Sequence, residues 1–287
     1  MSIENYVAAK SLDEALDCLA KGEVSILAGG TDLMPQSRAG RVKLGKTLLN
    51  IAGIRELRGV TAGNGGLRIG ALTTITDLME SALIRDKASL LAEAGDHFAS
   101  NQIRNVATIG GNVCNASPAG DTLVPLIALG AKLELASKVG GKTTLRSLPI
   151  EEFFSGPGKS VRRPEELLTA IHVPQPKAKA FSRFFKFGTR PALDISTISI
   201  AIAGVLDQGK LSEVRVAFGA VAATPVRAPQ TEAALEGRSL DATTIAATAL
   251  VARNEVKPID DVRASAWYRQ ELIHNMTQRM LSHVAQA

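Results

Sequence analysis

The sequence predicts an α+β chain of two or three compact units, and three observations carry that prediction. Strand-like and helix-like runs alternate through the first half. A stiff polar connector, Pro174-Gln175-Pro176-Lys177-Ala178-Lys179, then interrupts the pattern. Beyond it come three strand-like runs followed by helical ones, the order of an α+β unit. With 287 residues the chain can bury a full core in each unit.

The elements follow in order. Ser11-Leu12-Asp13-Glu14 is a capping box, and Gly22 ends the helix it opens. Residues 24–28 and 47–51 read as strands and complete a small α/β unit, 1–55. A second unit, 56–175, opens with a hairpin of strands 58–61 and 67–71, turning at Gly63-Asn64-Gly65-Gly66. Thr74 or Thr76 caps a short helix, and residues 90–100 form a longer one. A helix at 123–129 and strands at 131–136, 143–146 and 168–173 complete that unit. The third unit, 176–287, has a three-stranded antiparallel sheet from 181–187, 196–206 and 211–221. Helices starting at Ala228, Ala242 and Asp261 close the chain.

Composition removes several classes of function. An apolar share of 45% with 21% charged residues is that of an ordinary globular protein. No apolar run reaches the roughly 20 residues a membrane span needs. The first ten residues lack the pattern of a secretory signal, so a cytoplasmic location is expected. The net charge of +5 invites a nucleic-acid reading, but 4% aromatics leave no stacking platform and the cations are dispersed. An anionic cofactor or an acidic partner chain suits the charge better. Cys18 and Cys114 are too few for an iron–sulfur site, and His97, His172, His274 and His283 show no metal-ligand spacing, so no metal is expected here.

Two glycine segments carry the chemistry. Thr108-Ile109-Gly110-Gly111-Asn112-Val113-Cys114-Asn115-Ala116-Ser117-Pro118-Ala119-Gly120-Asp121 packs small residues, amides and hydroxyls into one stretch that ends in a carboxylate. Such a loop lets the backbone approach a ligand and turn N–H groups toward negative charge. A structural turn would look the same. The second segment, Gly29-Gly30-Thr31-Asp32-Leu33 directly after a strand, breaks the tie, because two such loops can grip one diphosphate from opposite sides. Neither is the common dinucleotide fingerprint, and the hairpin glycines fail it because Arg68 stands at the third position. Gly156-Pro157-Gly158-Lys159-Ser160 resembles the end of a P-loop, but Phe153 replaces the required first glycine, so it is left outside the site.

Three segments carry a resemblance: Leu27-Ala28-Gly29-Gly30-Thr31-Asp32-Leu33, Gln102-Ile103-Arg104-Asn105-Val106-Ala107-Thr108-Ile109-Gly110-Gly111-Asn112 and Ser117-Pro118-Ala119-Gly120-Asp121. In this order they resemble the FAD-binding medium subunits of the molybdenum hydroxylases, a family that includes xanthine and carbon monoxide dehydrogenases. The resemblance implies a two-lobed FAD-binding domain of the vanillyl-alcohol-oxidase-like type and a C-terminal α+β domain. It implies FAD in this chain, with [2Fe–2S] clusters in a small partner subunit and the molybdenum cofactor in a large one. The assembly would be a heterotrimer or a dimer of heterotrimers, passing electrons from the clusters through FAD to an external acceptor.

By the same resemblance, Ala28, Gly29, Gly30, Thr31, Asp32 and Leu33, with Thr108, Ile109, Gly110, Gly111 and Asn112, hold the diphosphate. Asn112 and Asn115 are either turn residues or cofactor contacts. Asp121 either caps the helix after it or accepts hydrogen bonds from the ribityl arm. Leu168 packs on the flavin ring or is an ordinary core leucine. Lys186 lies on the solvent face of its strand, or faces the ring, where a cation favours the anionic reduced form. Cys114 falls beside the ring as a contact, since no histidine or lysine adjoins it to lower its pKa. The rival functions are a self-sufficient flavoenzyme and a non-catalytic nucleotide-binding assembly factor.

Overall fold

The computed structural model describes residues 3–63, 65–190 and 193–286. The first sheet is parallel, with β1 (Asn5–Ala8), β2 (Val24–Leu27) and β3 (Thr47–Asn50) in the order β1-β3-β2. β3 takes the centre because Leu48 and Leu49 are both buried, one toward each face. Helix α1 (Leu12–Leu19) covers the sheet with Ala15, Leu16 and Leu19. Its N-terminus is closed by Ser11, whose hydroxyl accepts from Glu14 N–H at 3.2 Å, while Glu14 reaches back to Lys10 N–H rather than to the cap itself. Helix α2 (Leu33–Arg38) follows the first glycine loop.

The second sheet is antiparallel, ordered β4-β5-β10-β6-β7. Its strands are β4 (Val60–Gly63), β5 (Gly66–Gly70), β6 (Lys132–Val139), β7 (Lys142–Pro149) and β10 (Leu167–Pro174). The small hairpin of β8 (Phe154–Gly156) and β9 (Lys159–Ser160) stands apart from it. Six short helices pack on this sheet: α3 (Ile75–Glu80), α4 (Ala82–Lys87), α5 (Ser89–Asp96), α6 (Asn101–Arg104), α7 (Ile109–Asn115) and α8 (Leu123–Ala128). Of the two threonines expected to cap α3, Thr74 does so, through a full capping box with Asp77.

The third sheet comprises β11 (Ala180–Phe187), β12 (Ile198–Asp207), β13 (Lys210–Gly219) and β14 (Val226–Arg227), in that order. Where three strands are expected, a fourth of two residues pairs with Ala217 and Phe218. One face, bearing Ile198, Ile200 and Ile202, packs against α9 (Pro229–Leu235), α10 (Ala242–Glu255) and α11 (Ala266–Gln286). The opposite face places Ala201 and Ala217 in the same core as α8 and the second sheet. The last helix begins at Ala266, five residues later than Asp261, because Asp261 is used in the preceding turn. Its carboxylate accepts from Arg263 and Ala264 N–H and pairs in bidentate fashion with the buried Arg269 at 2.8 Å.

Candidate functional site

The C-terminal end of β2 runs directly into the first glycine loop, which is made for close approach. Gly30 has φ +70, a left-handed conformation that glycine adopts without strain. A Cβ on Gly29 would fall 2.0 Å from the Val106 carbonyl oxygen, so only glycine lets this loop lie against the segment entering α7. Among the described residues, the N–H groups of Gly29, Gly30, Thr31, Asp32 and Leu33 find no protein acceptor. Five consecutive unpaired donors beside a half-open surface form a ready cradle for an anion. The Asp32 carboxylate is turned aside by Gln36 one helical turn on, and Gln36 also reaches Asn115 Oδ1 at 3.5 Å. The two glycine segments therefore meet side by side.

The second segment is not the loop the sequence suggests. Residues 109–115 form helix α7, and its N–H groups are already engaged. Ile109 donates to Thr73 O, Gly110 to Ala71 O and Gly111 to the Thr108 hydroxyl, at 2.9–3.0 Å. The expectation of free N–H groups here is thus corrected: Thr108 is a helix cap, and Gly110 is required because a Cβ would lie 2.6 Å from Ala71 O. Asn112 Oδ1 accepts from the Thr122 hydroxyl at 2.7 Å and from Thr122 N–H, tying α7 to α8. What this segment offers a ligand is the exposed, side-chain-free surface at Gly111 and the half-buried Asn112 and Asn115.

Asp121 and Lys186, read as separate contacts, form one buried pair. Lys186 Nζ donates to Asp121 Oδ2 at 2.8 Å and to the His97 carbonyl at 2.9 Å, and its side chain is only 5% exposed. It is therefore not on a solvent face. Asp121 makes no helix cap, since α8 has no side-chain cap; its Oδ1 instead accepts from Ser196 Oγ at 3.1 Å. Burial pushes the Asp121 carboxyl up, opposed by the Lys186 charge and by hydrogen bonds from Lys186 and Ser196. Beside the pair a cavity of about 420 Å³ is lined by His97, Lys186, Phe187, Gly188, Thr189, Arg190 and Asp194.

Leu168 lies in the core, 3% exposed, at a β-bulge between Leu168 and Ala170. Cys114 is half-buried, and desolvation pushes its thiol up to about 11, against the pull of Arg162, so it is a neutral packing group rather than a nucleophile. The β8–β9 hairpin, which the sequence reading sets aside, stands against the site: Gly158 N–H donates to the carbonyl of Ala116, at the end of α7. Gln36 and Ser196 are the other participants the sequence does not single out. Gln36 is legible as an i+4 partner of Asp32, whereas nothing local marks Ser196.

Comparison with known proteins fits this geometry. Residues 1–176 match the FAD-binding domain in molybdopterin dehydrogenase, and residues 183–284 match the C-terminal domain of CO dehydrogenase flavoprotein. The putative xanthine dehydrogenase FAD-binding subunit of Escherichia coli K12 is 38% identical over 286 residues, 99% of this chain and 96% of that one. The medium chain of glyceraldehyde dehydrogenase from Sulfolobus acidocaldarius is 33% identical, over 98% of both. Carbon monoxide dehydrogenase of Hydrogenophaga pseudoflava contains a chain that superposes with TM-score 0.91 at 30% identity, over 97% of this chain and 96% of its own. The chain belongs to the FAD-binding subunits of the molybdenum hydroxylases, oxidoreductases built from several subunits.

Proposed function

We propose that this chain binds FAD noncovalently and relays electrons between iron–sulfur clusters in a partner chain and an external acceptor. The observation that carries the reading is the run of five unpaired N–H groups from Gly29 to Leu33, pressed against the entry to α7. Those groups would hold the diphosphate by direct donation, and Thr31 adds a hydroxyl. Gly111, Asn112 and Asn115 would line the other side, with α7 serving as wall rather than donor. Asp121 would accept from the ribityl hydroxyls. Lys186 would fix a positive charge at the edge of the cavity, and Leu168 and Cys114 would supply apolar packing. When bound, FAD would supply the conversion between one-electron and two-electron transfer, chemistry that no side chain of this protein provides.

On this reading residues 1–55 and 56–175 are the two lobes of a vanillyl-alcohol-oxidase-like FAD domain, and 176–287 is the C-terminal flavoprotein domain. The partners are a small [2Fe–2S] subunit and a large molybdenum-cofactor subunit, in a cytoplasmic heterotrimer or dimer of heterotrimers. Among the described residues no helix is long and apolar enough to cross a membrane. Acid precipitation of the purified protein tests the cofactor assignment. Near-stoichiometric FAD in the supernatant is expected, whereas flavin left on the pellet, or none at all, contradicts it.

A further inference from the structure

The face of the third sheet that meets the FAD domain is apolar at Phe184, Ala201 and Ala217. It turns polar at two places: Arg215 donates to the Ile127 carbonyl and pairs with Glu151, and a second patch lies beside Asp121. Lys186 and Ser199 are cross-strand partners there, and Ser196, Thr197 and Ser199 are each at most 1% exposed. A polar patch in a domain seam costs stability unless something uses it. Asp121 uses part of it: Ser196 Oγ donates to its Oδ1 and Lys186 Nζ to its Oδ2, so the C-terminal domain grips both oxygens of a carboxylate carried by the FAD domain, while Thr197 Oγ1 and Ser199 Oγ have no partner among the described residues.

We infer that Ser196 is a positioning residue for cofactor binding, holding the Asp121 carboxylate ionised and fixed in orientation so that its remaining lone pairs are available to the ribityl hydroxyls. This rests on the ribityl role proposed for Asp121. An ionised carboxylate has about four acceptor positions, and the two protein donors occupy two of them. Protonation removes acceptor capacity, so cofactor affinity follows the charge on Asp121. The charged and titratable groups around it are Lys186 from β11 and His97 from the end of α5, with Glu93 one helical turn before His97. Ser196 is the one neutral donor among them, so it can be replaced without changing any charge.

The test measures the dissociation constant of FAD for the full-length chain from pH 5 to 8, for the natural sequence, Ser196→Ala, Ser196→Thr and Asp121→Asn. Ser196→Ala is expected to weaken FAD about tenfold at the acid end and much less at pH 8, because it removes one of the hydrogen bonds that favour the ionised Asp121 carboxylate against its burial. Ser196→Thr keeps a hydroxyl and should restore the original profile. Asp121→Asn should be weak and flat across the range. A Ser196→Ala curve parallel to the original, or failure of threonine to rescue it, overturns the inference while leaving the role of Asp121 standing. Full FAD affinity in Asp121→Asn overturns the ribityl role itself, and the inference with it. Thermal melts of each variant without flavin separate these outcomes from misfolding.

Discussion

Glycine at position 29 is fixed by one contact. A Cβ there would sit 2.0 Å from the Val106 carbonyl oxygen, well inside any tolerated approach, and backbone cannot swing away as a side-chain tip can. Gly29→Ala should therefore lever the loop off the entry to α7, costing about 1–3 kcal/mol of stability. It should also cut flavin occupancy to less than half. Gly40→Ala is the control: Gly40 has φ +69, which Gly29 does not, but open space surrounds it, so the substitution strains the backbone without a clash and should keep its flavin. Absorbance of the purified variants at flavin wavelengths, beside their melting temperatures, reads both effects. At the same scale, Asp121 and Lys186 were each legible in the sequence as site candidates, but their pairing was not. Residues 65 positions apart meet only because two domains pack, and no local pattern announces that.

At the scale of elements, the strands and glycine loops were legible where their signal is periodic or punctuated. The longer strands fall where apolar runs stop at glycine, proline or polar turns, whereas β1, Asn5–Ala8, is not expected from the sequence because it is short and mostly exposed. The composition of the second glycine segment argues for a loop, two glycines and two asparagines being poor helix formers. Tertiary contacts override that preference: Thr108 caps the first turn, Gly110 fits against Ala71, and Asn112 bonds to Thr122. β14 has two residues and leaves no periodic trace. Asp261 has the look of a cap for the last helix, whereas it clamps its own turn onto Arg269.

That clamp makes a pH prediction at the same scale. The hydrogen bond from Arg269 is the main cause that lowers the Asp261 carboxyl from 3.8 to about 2. A carboxyl depressed in the folded state contributes stability that is present above its unfolded value and is lost as pH falls through the folded one. The contribution should thus be intact above about pH 4 and fade between pH 4 and pH 2. Urea midpoints for the natural chain and Asp261→Asn should differ most at neutral pH and converge in that acid window. A difference that stays constant down to pH 2 contradicts the clamp.

The whole molecule is arranged around one junction. On the proposed reading the loop after β2 supplies the free N–H groups, the second sheet and its helices supply the wall, and β11 and the turn before β12 supply Lys186 and Ser196 from across the seam. Ala201 and Ala217 carry the core of the FAD-side unit into the C-terminal sheet, so the two domains share packing at the place where they share the site. The family and the first glycine loop could be read from the residues. What could not be read is the division of labour, in which one loop is the donor and the other is a scaffold. The central claim is that the free N–H groups hold a phosphate, and a single titration tests it most directly. The chain stripped of its flavin is titrated with FAD and with riboflavin, which has the ring and the ribityl arm but neither the diphosphate nor the adenosine. The cradle at Gly29 to Leu33 predicts that FAD binds at least about a hundredfold more tightly, the worth of a few charge-assisted hydrogen bonds. Equal affinity for the two would mean that the unpaired N–H groups hold no phosphate, and would contradict the account.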